Sequence, residues 1–206
     1  MKNKFNDLMK NNFFKLGLIL CLVSAIAAGI LALTNNITKD KIKIAEEMAS
    51  SGPAVAQAVI PGSASFELVE DKELIDKIKS ENEKFIELRV CKDNSGKELG
   101  YGIRTLSTVP GYGGDVEIFL GISPDGKILG MKVVAHSETA GLGTKMLEPK
   151  FQNQFLNRES SKEIKVAKSN PKEDEIQAIS GATRSSKSIT SAVNNAMNIF
   201  NQYLKK

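Results

Sequence analysis

Residues 16–34 read LGLILCLVSAIAAGILALT, a run of 19 residues without a charge. At about 1.5 Å rise per residue, a helix of that length covers a hydrocarbon core about 30 Å thick. The pattern therefore predicts one N-terminal transmembrane helix. The run is too long for a cleaved leader, whose apolar part is usually about 7–15 residues, and an Ala25-x-Ala27 cleavage site would fall in its middle. A lipoprotein leader needs a small residue before Cys21, where Leu20 stands. Lys2, Lys4, Lys10 and Lys15 precede the run, while Lys39, Lys41 and Lys43 follow it. Counted from residue 1, the positive-inside rule favours a cytoplasmic segment 1–15, a helix 16–34, and the remainder outside the cytoplasm.

Residues 35–50 are polar and helix-permissive, with Ile37, Ile42, Ile44 and Met48 too sparse for a packed face, and Ser50-Ser51-Gly52-Pro53 breaks the run. A second break at Ile60-Pro61-Gly62 extends this stalk over 35–65, so a folded domain is expected over 66–206. Leu74, Ile75 and Ile78 predict a short helix. Ile86, Leu88 and Val90 alternate with charged residues, and Asn94-Ser95-Gly96 turns the chain into 99–104, which makes a hairpin. Residues 116–122 and 128–134 repeat the pattern around Pro124-Asp125-Gly126, whose Pro and Gly suit a tight turn. Leu147, Phe151 and Phe155 predict a helix, and 164–166 a strand. Ile189, Val193, Met197, Phe200 and Leu204 form one helical stripe. The expected fold class is α+β: a mostly antiparallel sheet with packing helices, preceded by one transmembrane helix.

The net charge of +4 and pI near 8.9 call for a location before an interpretation. Residues 1–34 hold four lysines against Asp7, leaving 24 basic and 23 acidic side chains elsewhere. The domain is near neutral and shows no basic stripe, so no nucleic-acid partner is expected. Cys21 and Cys91 lie in unrelated segments and read as two unpaired small hydrophobes. No Cys-x-x-Cys or Cys/His cluster offers a metal site, so redox chemistry would need an organic cofactor.

Chemistry concentrates in three segments. Ser180-Gly181-Ala182-Thr183-Arg184-Ser185-Ser186 precedes the last helix, where free amides and the helix dipole attract anions, with Arg184 and Lys187 at hand. Read alone, it is first an ordinary N-cap, with Ser185 or Ser186 as the capping residue. Pro110-Gly111-Tyr112-Gly113-Gly114 and His136-Ser137-Glu138-Thr139-Ala140-Gly141-Leu142-Gly143 abut strands, and their glycines suit a loop or a close approach to a ligand. His136 is the one histidine; no nucleophile motif around a serine accompanies it, which argues against hydrolase chemistry.

Taken together, the anchor, the two glycine-rich segments at this spacing and Ser180-Gly181-Ala182-Thr183 resemble the G subunits of the Rnf electron-transport complex, over essentially the whole chain. They are similar also to the C subunits of the sodium-translocating NADH:quinone oxidoreductase. The resemblance implies FMN esterified through its phosphate to Thr183 by a dedicated flavin transferase. It also implies further cofactor contacts from Ser180, Gly181, Ala182, Arg184, Tyr112, Gly113, His136, Glu138, Thr139, Leu142 and Gly143. Glu138 or Thr139 would meet the polar edge of the flavin ring and Leu142 its apolar part. Gln177 departs from the motif, which commonly has an acidic residue three positions before the serine. The implied partners are membrane, iron-sulfur and flavin subunits of a complex that couples ferredoxin:NAD electron transfer to ion translocation, with the lipid bilayer around the anchor. The alternatives are the quinone-reductase family, whose chains tend to be longer, and an anchored module without redox function.

Overall fold

The structure is a computed structural model that describes residues 12–51 and 53–205. It divides into two units, Met1–Met48 and Ala49–Lys206.

The first unit is built on helix α1 (Asn12–Ser51). Its part Asn12–Lys39 is long and apolar enough to cross a membrane by length and composition. Leu16, Leu20, Leu31 and their neighbours project outward without protein cover. Thr34 and Thr38 donate their hydroxyls to the carbonyls of Ile30 and Thr34, at 2.9 and 2.7 Å. Each hydroxyl is thereby satisfied within the helix, which is what an apolar solvent demands. The cytoplasmic segment expected over 1–15 lies, up to residue 11, outside the described residues.

The second unit runs α2 (Pro53–Val59), β1 (Ser65–Leu68), α3 (Lys72–Glu81), β2 (Phe85–Lys92), β3 (Glu98–Leu106), β4 (Glu117–Ile122), β5 (Ile128–Ala135), α4 (Pro149–Gln152), β6 (Lys165–Ala167), β7 (Glu175–Gln177) and α5 (Thr183–Ile199). The first five strands form one sheet in chain order, antiparallel throughout. Side chains alternate between its faces. Ile118 and Leu120 enter a core with Leu88, Ile103, Ile189, Val193 and Phe200, which α5 covers. Phe119 points the other way, into a smaller core with Val55, Val59, Ile60 and Cys91.

That second core moves the start of the folded part. The sequence pattern puts residues 53–60 in the stalk, yet Val55, Val59 and Ile60 are almost fully buried, and the compact unit begins at Ala49 rather than near Phe66. Gly121 and Gly130 pair across β4 and β5 beneath the last turn of α2. The helix predicted from Leu147, Phe151 and Phe155 is instead a chain of short turns: 3-10 at Gly143–Leu147, α4 started by Pro149, and 3-10 at Asn153–Phe155. Proline at the first helical position begins a new helix because its missing amide is unneeded there. Strand β7, absent from the expectation, pairs in parallel with β6. Arg158 holds this region by donating to the carbonyls of Gln154, Glu173 and Glu175, at 2.6, 2.5 and 2.7 Å.

Candidate functional site

Helix α5 begins at Thr183 with Ala182 as N-cap, and no side chain makes a cap hydrogen bond there. The turn before it closes when Ala182 N–H donates to Ile179 C=O at 3.0 Å, with Gly181 in the left-handed region at φ +77°. Ser186 locks this turn: its hydroxyl accepts from Ile179 N–H at 2.9 Å and donates to Ala182 C=O at 3.0 Å. The capping role expected of Ser185 or Ser186 is not what these residues do, because both sit inside the first turn, buried and bonded elsewhere. Thr183 is half-buried, and Ser180 and Arg184 are exposed.

Both glycine-rich segments converge on this helix start. Glu138 is 8% exposed. Its Oε1 accepts from the amides of Tyr112 at 2.7 Å and Gly113 at 3.2 Å, and its Oε2 accepts from Ser185 Oγ at 2.6 Å. The carboxylate is thus engaged by donors of the protein itself. Arg184 Nε reaches Pro110 C=O at 3.4 Å, and Val109 N–H donates to Ser191 Oγ at 3.0 Å. Leu142 lies against Gly181, with its Cδ2 3.5 Å from where a β-carbon would stand on that glycine. His136 accepts at Nδ1 from Glu138 N–H at 3.2 Å, which shapes the turn into the loop. Thr139 is exposed, and its carbonyl receives Leu142 N–H at 3.2 Å.

Among the described residues of this unit, the large apolar side chains left exposed are Leu68, Val109, Tyr112, Leu142 and Leu147. All but Leu68 belong to segments 109–114 and 142–147, and Tyr112 is 76% exposed. Apolar surface left bare beside a polar helix start is the composition of a ligand site. The two unforeseen participants are Ser185 and Val109. Ser185 reads as a cap from sequence, and Val109 stands just outside the glycine motif that draws attention. Cys91 lies in the second core, on the other face of the sheet, where burial pushes its thiol up to about 12; it packs as a hydrophobe.

A helix N-terminus without a side-chain cap, bordered by two loops and exposed apolar side chains, has the chemistry to receive a phosphate-bearing aromatic ligand, and residues 111–198 match the family described as the FMN-binding domain. Residues 9–51 match the RnfG N-terminal region. The chain belongs to the G subunits of ion-translocating ferredoxin:NAD oxidoreductase (Rnf) complexes. It is 41% identical over 200 residues to the G subunit of the Na(+)-translocating ferredoxin:NAD(+) oxidoreductase complex of Acetobacterium woodii, spanning 93% of each chain. It is 29% identical over 174 residues to the G subunit of the proton-translocating ferredoxin:NAD(+) oxidoreductase complex of Clostridium ljungdahlii, covering 82% of this chain and 90% of that one. Among solved structures, the C subunit of the Na(+)-translocating NADH-quinone reductase from Parabacteroides distasonis shares the fold. Its TM-score is 0.51 at 22% identity, over 70% of this chain and 79% of that one. The match of the anchor region favours the Rnf assignment over the quinone-reductase family.

Proposed function

We propose that this chain is the membrane-anchored flavin subunit of an Rnf-type complex and relays electrons through FMN held by a phosphoester at Thr183 Oγ. The observation that carries this reading is the start of α5: its first residue is a half-buried threonine, no side chain caps it, and both glycine-rich loops border it. There the helix dipole and first amides stabilise a phosphate, with the Arg184 guanidinium beside them. Tyr112, Leu142 and Val109 offer apolar surface to a ring system, and Thr139 offers an exposed hydroxyl to its polar edge. When bound, FMN supplies the redox chemistry; the protein binds it, orients it and sets its potential.

Esterification by FMN itself would have to expel water, so the donor must be activated. A flavin dinucleotide in the hands of a transferase meets that need. Thr183 Oγ would be the acceptor: its new bond to phosphorus would replace the phosphoanhydride bond, with AMP as the leaving group and the hydroxyl proton taken up on the transferase side. A covalent tether suits a domain outside the cytoplasm, where a lost cofactor is not replaced, and the lysines before residue 16 favour that side. The other members of the complex supply the electron donor and acceptor.

The test is co-expression with a flavin transferase, followed by a denaturing gel and intact-mass measurement. Fluorescence that survives unfolding is expected for the wild-type chain and for Ser180→Ala, and is lost in Thr183→Val, which removes the nucleophilic oxygen at nearly constant volume. A full FMN adduct on the Thr183→Val chain would sink the assignment.

A further inference from the structure

Glu138 is buried and makes no ion pair among the described residues; its hydrogen-bond partners are three neutral donors from two distant parts of the chain. A buried carboxylate is costly unless it is hydrogen-bonded, and bonds to a charged acceptor are the stronger ones. The surroundings are shaped to admit it. A β-carbon on Gly111 would collide with Glu138 Oε1. One on Gly143 would collide with Oε2, and would stand 2.7 Å from Glu138 Cβ and 2.8 Å from Ser185 Oγ. Two glycines, one from each glycine-rich loop, therefore make room for one side chain.

We infer that Glu138 is a positioning residue for the Thr183 hydroxyl, acting through Ser185. Successive residues of an α-helix are turned by about 100°, so Thr183 and Ser185 project about 200° apart around α5. Holding the Ser185 hydroxyl inward on Glu138 sets the rotation of the first turn about its axis and directs Thr183 to the opposite side. The same carboxylate fixes the amides of Tyr112 and Gly113, so the loop carrying Tyr112 and the helix carrying Thr183 share one reference point. A carboxylate suits this task because it only accepts: it gathers three donors and brings no proton of its own that would need a partner. Nothing in this arrangement places Glu138 on the flavin or on the reacting phosphorus. Its effect on attachment rests on the reading of Thr183 as the tether, whereas its effect on loop and helix does not.

The test uses the full chain in detergent micelles and two readouts. The first is amide hydrogen exchange in the flavin-free chain over residues 109–114 and 180–187. The second is the rate of flavin attachment by the transferase. Glu138→Ala is expected to raise exchange in both segments and to slow attachment roughly 10- to 100-fold, the scale of a misplacement near 1 Å. Glu138→Gln keeps an acceptor for the two amides and turns its NH2 toward Ser185 Oγ, so it should restore most of both. Ser185→Ala is the milder variant, which keeps the loop bonds and cuts only the link to the helix. It should raise exchange over 180–187, leave 109–114 unchanged and still slow attachment. Wild-type exchange and wild-type attachment in Ser185→Ala overturn the proposal. So does a Glu138→Gln chain with wild-type exchange that attaches flavin as slowly as Glu138→Ala, because the charge and not the position would then be at work. A Thr183→Val chain that acquires flavin overturns the tether and leaves the exchange result to decide the role of Glu138.

Discussion

The carbonyl of Val59 lies directly over Gly121, so that a β-carbon there would stand 2.7 Å from the carbonyl carbon and closer still to its oxygen. Backbone meets backbone at this contact between α2 and β4, and no side chain can yield. Gly121→Ala is expected to lower stability by about 1–3 kcal/mol through overpacking. Urea unfolding of the two chains checks it, and equal midpoints would show that α2 lifts away freely.

Asn195 ties α5 to the sheet. Its amide donates to Thr105 Oγ1 at 2.6 Å and to Asn82 Oδ1 at 3.3 Å, and it accepts from Asn82 Nδ2 at 2.6 Å. Asn195→Ala leaves these partners partly unsatisfied, at a cost of about 1–3 kcal/mol. The urea midpoint should fall while the yield of attached flavin is unchanged, because the residue lies about three turns beyond Thr183. A yield that falls in proportion to stability loss contradicts this separation.

Alkaline pH should weaken the fold. Burial raises the Cys91 thiol from 9.0 to about 12, and burial with a hydrogen bond to Glu98 raises Tyr101 from 10.0 to about 12. The folded state therefore holds these protons more tightly than the unfolded chain. Their contribution is complete below the unfolded values and is lost as pH climbs toward 12. Cys91→Ala should be less stable than wild type near pH 7, from lost packing, yet decline less steeply above about pH 9. Parallel stability-pH curves for the two chains would reject the account.

Leu142→Ala and Thr139→Ala are expected to retain attached flavin and to shift its midpoint potential or absorption spectrum, since both residues stand beside the site without making the bond. Redox titrations that overlay on the wild type would remove this loop from the surroundings of the ring.

Topology is open to a direct measurement. Alkaline phosphatase fused after Lys206 should be active, as it folds only outside the cytoplasm. An inactive fusion paired with an active cytoplasmic reporter reverses the orientation.

The stripe on α5 is legible in the sequence because one face of the helix is buried and that burial writes a period into the chain, whereas β4, buried at nearly every position, is marked by its apolar run and the turn that follows it. Residues 53–60 are not legible, since a short helix packed on paired glycines leaves no period of its own. The stripe at 147–155 misleads for the opposite reason: Phe151 and Phe155 are buried as a helix would bury them, while Pro149 restarts the backbone between them and Leu147. At the site, the motif residues mark the right place, but hydrogen bonding across 47 residues, Ser185 to Glu138, has no local signature. Ser185 reads as a cap until the fold shows where its proton goes.

The order of the sheet has a consequence for biosynthesis. Each strand after the first pairs with the one before it, so the meander can assemble as the chain emerges, with little loop entropy to overcome. The helix that covers its larger core is made after all five strands, and Thr183 is the first residue of that helix. Until α5 leaves the ribosome one face of the sheet lacks that cover, a state prone to aggregation, and the helix start at Thr183 does not yet exist. On the proposed reading of Thr183 as the tether, loading follows the synthesis of α5, and a product truncated before that helix is left unmarked.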